Sequence, residues 1–252
     1  MLYFLLFLAG VGVGLLGSLL GIGGGIFMVP LLLLSGLVAT TQEATGTSIV
    51  GVLATGISGF LGYLLRRKNP GTVGLALIPG ALGGSYLGAF LAGKIPSGVL
   101  ALVFGIFLLY PATVLLLGRA PKELVSNKEG KGFLAVLGVL VGLLAGTASS
   151  LLGIGGGVIM VPALLWFGLP MVSAVAASLL VMVPTAALAT SLHALAGRTH
   201  WELALPLAAG ILLGGQLGPA LAVRLPQRTL RRLFSLVLFY AAANMIRRGL
   251  GY

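Results

Sequence analysis

The sequence predicts an all-α polytopic membrane protein, and three observations carry that prediction. The first is composition: of 252 residues, 58% are hydrophobic and 8% charged, and mean hydropathy is +1.15. No soluble domain covers so much apolar surface with so few polar side chains. The second is a series of apolar segments, at roughly 2 to 20, 26 to 37, 44 to 65, 72 to 93, 97 to 117, 132 to 152, 158 to 169, 173 to 196, 201 to 223 and 229 to 246. Most approach the ~20 residues that a helix needs to cross a bilayer. The third is one motif carried twice. Leu20-Gly21-Ile22-Gly23-Gly24-Gly25-Ile26-Phe27-Met28-Val29-Pro30 returns 132 positions later as Leu152-Gly153-Ile154-Gly155-Gly156-Gly157-Val158-Ile159-Met160-Val161-Pro162.

Taken in order, the first segment lacks a positive leader and a small-residue cleavage site, so it reads as a first transmembrane helix. A glycine run then breaks the helix, because glycine is a poor helix former. The second segment, like the seventh, holds about 12 residues and cannot span alone; each reads as a half-helix behind its glycine break. The next three segments are spans. A hydrophilic stretch with Arg119, Lys122, Glu123, Lys128, Glu129 and Lys131 then divides the chain into a first repeat (1–118), a polar linker (119–131) and a second repeat (132–252). The second repeat follows the same order. At an offset of 130, Gly80, Gly84 and Gly88 fall on Gly210, Gly214 and Gly218, and Lys94 and Pro96 on Arg224 and Pro226. If each half-helix turns back through the membrane, 11 basic residues (Arg66 to Lys68, Arg119 to Lys131, Arg224 to Arg232) share one side and four (Lys94, Arg198, Arg247, Arg248) the other. If it does not, the split is 10 to 5. The positive-inside rule therefore favours two inverted repeats with both termini outside.

Paired helix breaks at matching positions point to a binding site between the halves. The amides near Gly23, Gly24, Gly25 and Gly155, Gly156, Gly157 carry partial positive charge at a helix start and suit an oxyanion without any charged side chain. Hydroxyls that could complete such a site are Ser18, Thr47 and Ser48 in the first half and Ser150 and Ser178 in the second; Thr147, Ser149, Thr185, Gln216 and Asn244 are further polar candidates. His193, a titratable group well inside an apolar segment, and Glu43, at the start of another, are candidates for proton coupling. The plain alternatives are an interfacial histidine and a helix cap. Other chemistry is poorly supplied. There is no Cys and no Asp, so thiolate metal sites, disulfides and a Ser-His-Asp triad are excluded, and no metal or other cofactor is expected. The motif follows a membrane helix rather than a strand and lacks the Lys-Ser or Lys-Thr of a P-loop, so it is no nucleotide fingerprint. The net charge of +11 sits in loops and at helix ends, the pattern of membrane anchoring rather than of nucleic-acid binding. Expected partners are a small anion and the lipid bilayer, with homo-oligomerisation left open.

Gly-x-Gly-Gly-Gly followed by Val-Pro in both halves, Ala177-Ser178-Leu179, and His193-x-x-x-Gly197-x-x-x-Trp201 before a further glycine-rich span closely resemble the sulfite exporter TauE/SafE family of membrane permeases. The resemblance covers nearly the whole chain. It implies export of small sulfur-containing anions such as sulfite or sulfoacetate, from a multi-pass protein of the cell (inner) membrane that is not an enzyme. One departure is Tyr63 in the first half, where the second has His193. A passive anion channel is the alternative, and an intramembrane hydrolase pairing Ser149 or Ser150 with His193 is a weaker one.

Overall fold

The computed structural model describes residues 1–67, 71–92, 94, 96–117 and 131–250, and among these it contains ten helices and no strands. They are α1 (Leu2–Leu20), α2 (Gly25–Leu34), α3 (Thr41–Leu65), α4 (Gly71–Leu91), α5 (Ser97–Leu116), α6 (Lys131–Leu152), α7 (Gly157–Trp166), α8 (Met171–Leu195), α9 (Trp201–Ala222) and α10 (Gln227–Gly249). The expected segments are recovered within a few residues. Most of the expected linker lies outside the described residues. Five helices, α1, α3, α4, α8 and α9, are long and apolar enough to cross a membrane, and the protein is a multi-pass membrane protein.

Local chemistry sets the boundaries. Thr40 caps α3: its hydroxyl accepts from the Glu43 amide at 3.2 Å while the Glu43 carboxylate accepts from the Thr40 amide at 3.1 Å, a capping box. α2 and α7 have no side-chain cap and start on glycine. Pro30 and Pro162 stand sixth in these ten-residue helices rather than in the first turn, because the glycines at the break are themselves taken into the helix start.

Two seams of small residues hold the bundle together. α1 packs on α9 and α4 on α6, with glycines from both helices in each seam. A Cβ at Gly10 would strike the Leu207 carbonyl, and one at Gly214 the Val11 carbonyl; across the other seam, Gly80 meets the Val139 carbonyl and Gly142 the Leu77 carbonyl. Backbones approach here more closely than any side chain permits, the usual basis of helix association where water supplies no hydrophobic drive. The glycines fall at matched positions of the two halves, Gly10 and Gly14 against Gly142 and Gly146, Gly80 and Gly84 against Gly210 and Gly214.

Contact order also gives direction. Residues 10 to 18 of α1 meet residues 207 to 218 of α9 in the same sense, so those helices run parallel. α3 and α8 run antiparallel, with Gly56 against Val183 and Gly59 against Leu179. α5 and α10 do the same: Gly105 faces Ala242, Gly249 faces Leu102, and the Ser235 hydroxyl donates to the Ala112 carbonyl at 2.7 Å.

Candidate functional site

The two glycine breaks meet at the interface of the halves. Gly21, Gly23 and Gly24 adopt left-handed backbone with φ of 71°, 81° and 71°, and Gly153 and Gly155 do so with 68° and 83°. A side chain is strained there, so the motif needs glycine at these positions. Gly156 differs: its φ is −65°, ordinary for any residue. Beyond each break the short helix begins with open donors. Phe27 and Met28 both donate to the Gly24 carbonyl, and Ile159 and Met160 to that of Gly156. The amides of Gly25, Ile26, Gly157 and Val158 have no acceptor among the described residues, as first-turn amides have none within their own helix.

Each break is also locked to the other half. A Cβ at Gly25 would run into the Gly153 carbonyl, and one at Gly157 into that of Gly21. The Ser48 hydroxyl lies 3.0 Å from the Gly153 carbonyl and 2.9 Å from that of Thr45, and the Ser178 hydroxyl 2.9 Å from the carbonyls of both Gly21 and Val175, so each donates between the opposite half and its own helix. These serines are repeat mates, as are the two glycines. Both serines are completely buried.

The other residues singled out in the sequence fall into distinct places. Ser18, buried, returns its proton to the Gly14 carbonyl at 2.7 Å, and Thr185 and Thr147 likewise bond their own helices. The Thr47 hydroxyl accepts from the His200 amide at 3.1 Å. Ser150 is buried with no partner for its hydroxyl among the described residues. Gln216 donates to the Ser58 carbonyl at 2.8 Å, and Asn244 to that of Tyr240 at 3.0 Å. Glu43 is engaged in the α3 cap and lies 3.8 Å from the His200 ring, which in turn meets Glu202 at 3.0 Å.

His193 is fully buried within the protein, in the last turn of α8. Its Nε2 stands 2.9 Å from the Ser150 carbonyl oxygen, so it faces the main chain of Ser150 and not the hydroxyl that a hydrolase would need to activate. Its repeat mate Tyr63 is also fully buried, and its OH lies 3.3 Å from the Ser18 carbonyl, the matching acceptor in the first half.

Two features escaped the sequence reading. The cross-half serine bonds could have been anticipated from the shared register of Ser48 with Ser178 and Gly21 with Gly153, but which half supplies the acceptor depends on packing. The thioethers were unmarked: Met182 lies against Gly23, Met160 against Gly156 and Met28 against Gly51, filling irregular space as flexible side chains do.

Comparison with known proteins adds a family. The sequence profile described as Sulfite exporter TauE/SafE matches residues 6–245. The chain is 30% identical over 273 residues to the probable membrane transporter protein YunE of Bacillus subtilis (strain 168), covering 99% of each chain. It is 31% identical over 246 residues to a probable membrane transporter protein of Xylella fastidiosa (strain Temecula1), covering 96% of this chain and 92% of that one. It is also 33% identical over 184 residues to the probable membrane transporter protein MJ0441 of Methanocaldococcus jannaschii, covering 69% and 66%. No solved structure matches the chain.

Proposed function

Because the chain belongs to the sulfite exporter TauE/SafE family and is a membrane transporter rather than an enzyme, we propose that it exports small sulfur-containing anions such as sulfite or sulfoacetate across the inner membrane by alternating access. The observation that carries this reading is the pair of open helix starts: the amides of Gly25 and Ile26 on one side and Gly157 and Val158 on the other, each buried beside the opposite half. Such amides hold an anion by partial charge and hydrogen bonds and need no desolvated lysine or arginine. A compact oxyanion with several acceptor oxygens could engage donors from both halves at once.

The same contacts suggest how the site opens. With the halves closed, the Ser48 and Ser178 hydroxyls share their protons between a carbonyl of their own helix and the Gly153 and Gly21 carbonyls. Parting the halves frees two hydroxyls beside the four open amides, and an anion entering the gap takes hydrogen bonds from both sets. Two inverted halves rocking about this interface are supported by the antiparallel course of α3 and α8 and of α5 and α10, which are matched helices of the two halves.

Counterflow in proteoliposomes tests the reading, with sulfite as the trapped ion and sulfoacetate, thiosulfate, sulfate and a monocarboxylate outside. Saturable exchange with sulfite and sulfoacetate is expected. Conductance that neither saturates nor exchanges would make the protein a channel, and monocarboxylate exchange without sulfite exchange would remove the proposed cargo.

A further inference from the structure

Four buried polar atoms where α4 of the first half meets α6 and α8 of the second have no partner among the described residues: the hydroxyls of Ser85, Ser150 and Thr190, and His193 Nδ1. Their residues are 1%, 0%, 8% and 0% exposed. They come from three helices packed on one another. His193 reaches the Ser150 carbonyl, which joins α8 to α6; Thr190 lies one turn earlier on the same face of α8. A Cβ at Gly88 of α4 would stand 2.9 Å from the Ser150 Cβ, and Ser85 is one turn before Gly88. α4 and α8 run side by side, Gly74 against Ala177 and the Ala89 carbonyl 3.5 Å from the Arg198 guanidinium, which sets Ser85 level with Thr190 and His193.

The repeat mates of these residues form no such gathering. At the matching positions stand Gly215 for Ser85, Phe60 for Thr190 and Tyr63 for His193, while Ser18, the mate of Ser150, is satisfied by the Gly14 carbonyl. The fold therefore does not require these polar groups, and leaving them unpaired is costly. A carbonyl accepts only, so neutral His193 carries its proton on Nε2, and Nδ1 presents a bare lone pair.

We infer that α4, α6 and α8 enclose a hydrated proton-binding site, in which water bridges Ser85, Ser150 and Thr190 to Nδ1 of His193. Roughly two to four polar partners hold a buried water, and three hydroxyls with an imidazole nitrogen supply them. A proton arriving from that water forms an imidazolium that donates from both nitrogens. It places a positive charge one turn from the Gly153 break. Charged and titratable groups on the elements around α8 are few. Arg198 follows α8 directly, its amide donating to the His193 carbonyl at 3.0 Å. Glu43 opens α3, Lys131 opens α6, exposed Tyr86 and Tyr3 lie on α4 and α1, and the arginines of α10 sit near its two ends.

The test uses the full chain in liposomes with ring-15N-labelled histidine and His200→Gln, which leaves one imidazole signal. Nδ1 of His193 should take up a proton as the pH is lowered across the range in which imidazoles titrate. Thr190→Val with Ser85→Ala removes two of the water's partners and should move the midpoint by about one pH unit, a tenfold change in proton affinity. An Nδ1 signal unchanged across that range, or a midpoint indifferent to the paired substitution, overturns the proposal. The measurement uses no transported anion, so it stands or falls apart from the transport reading.

Discussion

At the residue scale, the two copies of the glycine motif are not equivalent, and the difference can be measured. Gly24 and Gly156 are matched in sequence, yet Gly24 has φ 71° and Gly156 φ −65°. A Cβ at Gly24 would stand 2.5 Å from Val13 Cγ1; at Gly156 it would meet the mobile end of Met160 at 2.9 Å. Gly24→Ala should therefore cost at least about 1–2 kcal/mol for the left-handed backbone alone, seen as a lower unfolding temperature in detergent. Gly156→Ala should fold nearly normally. If helix-start amides bind the anion, the Gly156→Ala protein should still lose most of its sulfite exchange; full exchange would move the binding site away from that break. The serine bonds give a second expectation. Ser178→Ala and Ser48→Ala each leave a buried carbonyl unpaired, a loss of about 1–3 kcal/mol. Because the two bonds secure one interface, a double-mutant cycle on unfolding should return a coupling of at least ~0.5 kcal/mol. Strict additivity would mean that the two bonds hold separately.

At the element scale, the glycine seams decide which helices pair. Gly214→Leu would drive α9 off the Val11 carbonyl of α1, and Gly80→Leu would drive α4 off Val139 of α6. Both should yield protein that aggregates on size exclusion. Gly12, on α1 with nothing within 4 Å of its would-be Cβ, supplies the control: Gly12→Ala should be neutral, or gain up to about 1 kcal/mol from helix propensity. Elements were legible in the sequence because spanning length, glycine breaks and a polar linker are local signals. The helix starts at Gly25 and Gly157 follow the motif directly. Seam partners were not legible, since α1 meets a helix some 200 positions away and no periodicity in either names the other. The same reason hid the water pocket: Ser85, Ser150, Thr190 and His193 lie on three helices, and only packing brings them level.

At the scale of the whole molecule, direction in the membrane is the open test. The chain has no cysteine, so single cysteines report without background. Gly249 is pressed against Leu102, which makes exposed Leu250 the better site near the end of α10, with Arg232 as its counterpart near the start. An impermeant thiol reagent on whole cells should label Leu250→Cys and spare Arg232→Cys, as the basic split predicts; the reverse result would put the termini inside. One feature of the interface reaches further, into how the protein is made. The first break takes hydrogen bonds from Ser178, and α1 finds its glycine seam only in α9. During synthesis, then, the amino-terminal half enters the bilayer with its broken helix held only from its own side, by Thr55 of α3 at the Gly23 carbonyl, and waits for more than half the chain to be translated before Ser178 reaches Gly21. Two fragments severed within 118–130 should each be degraded when expressed alone and recover as a complex when expressed together, the behaviour of one object made in two instalments rather than of two domains.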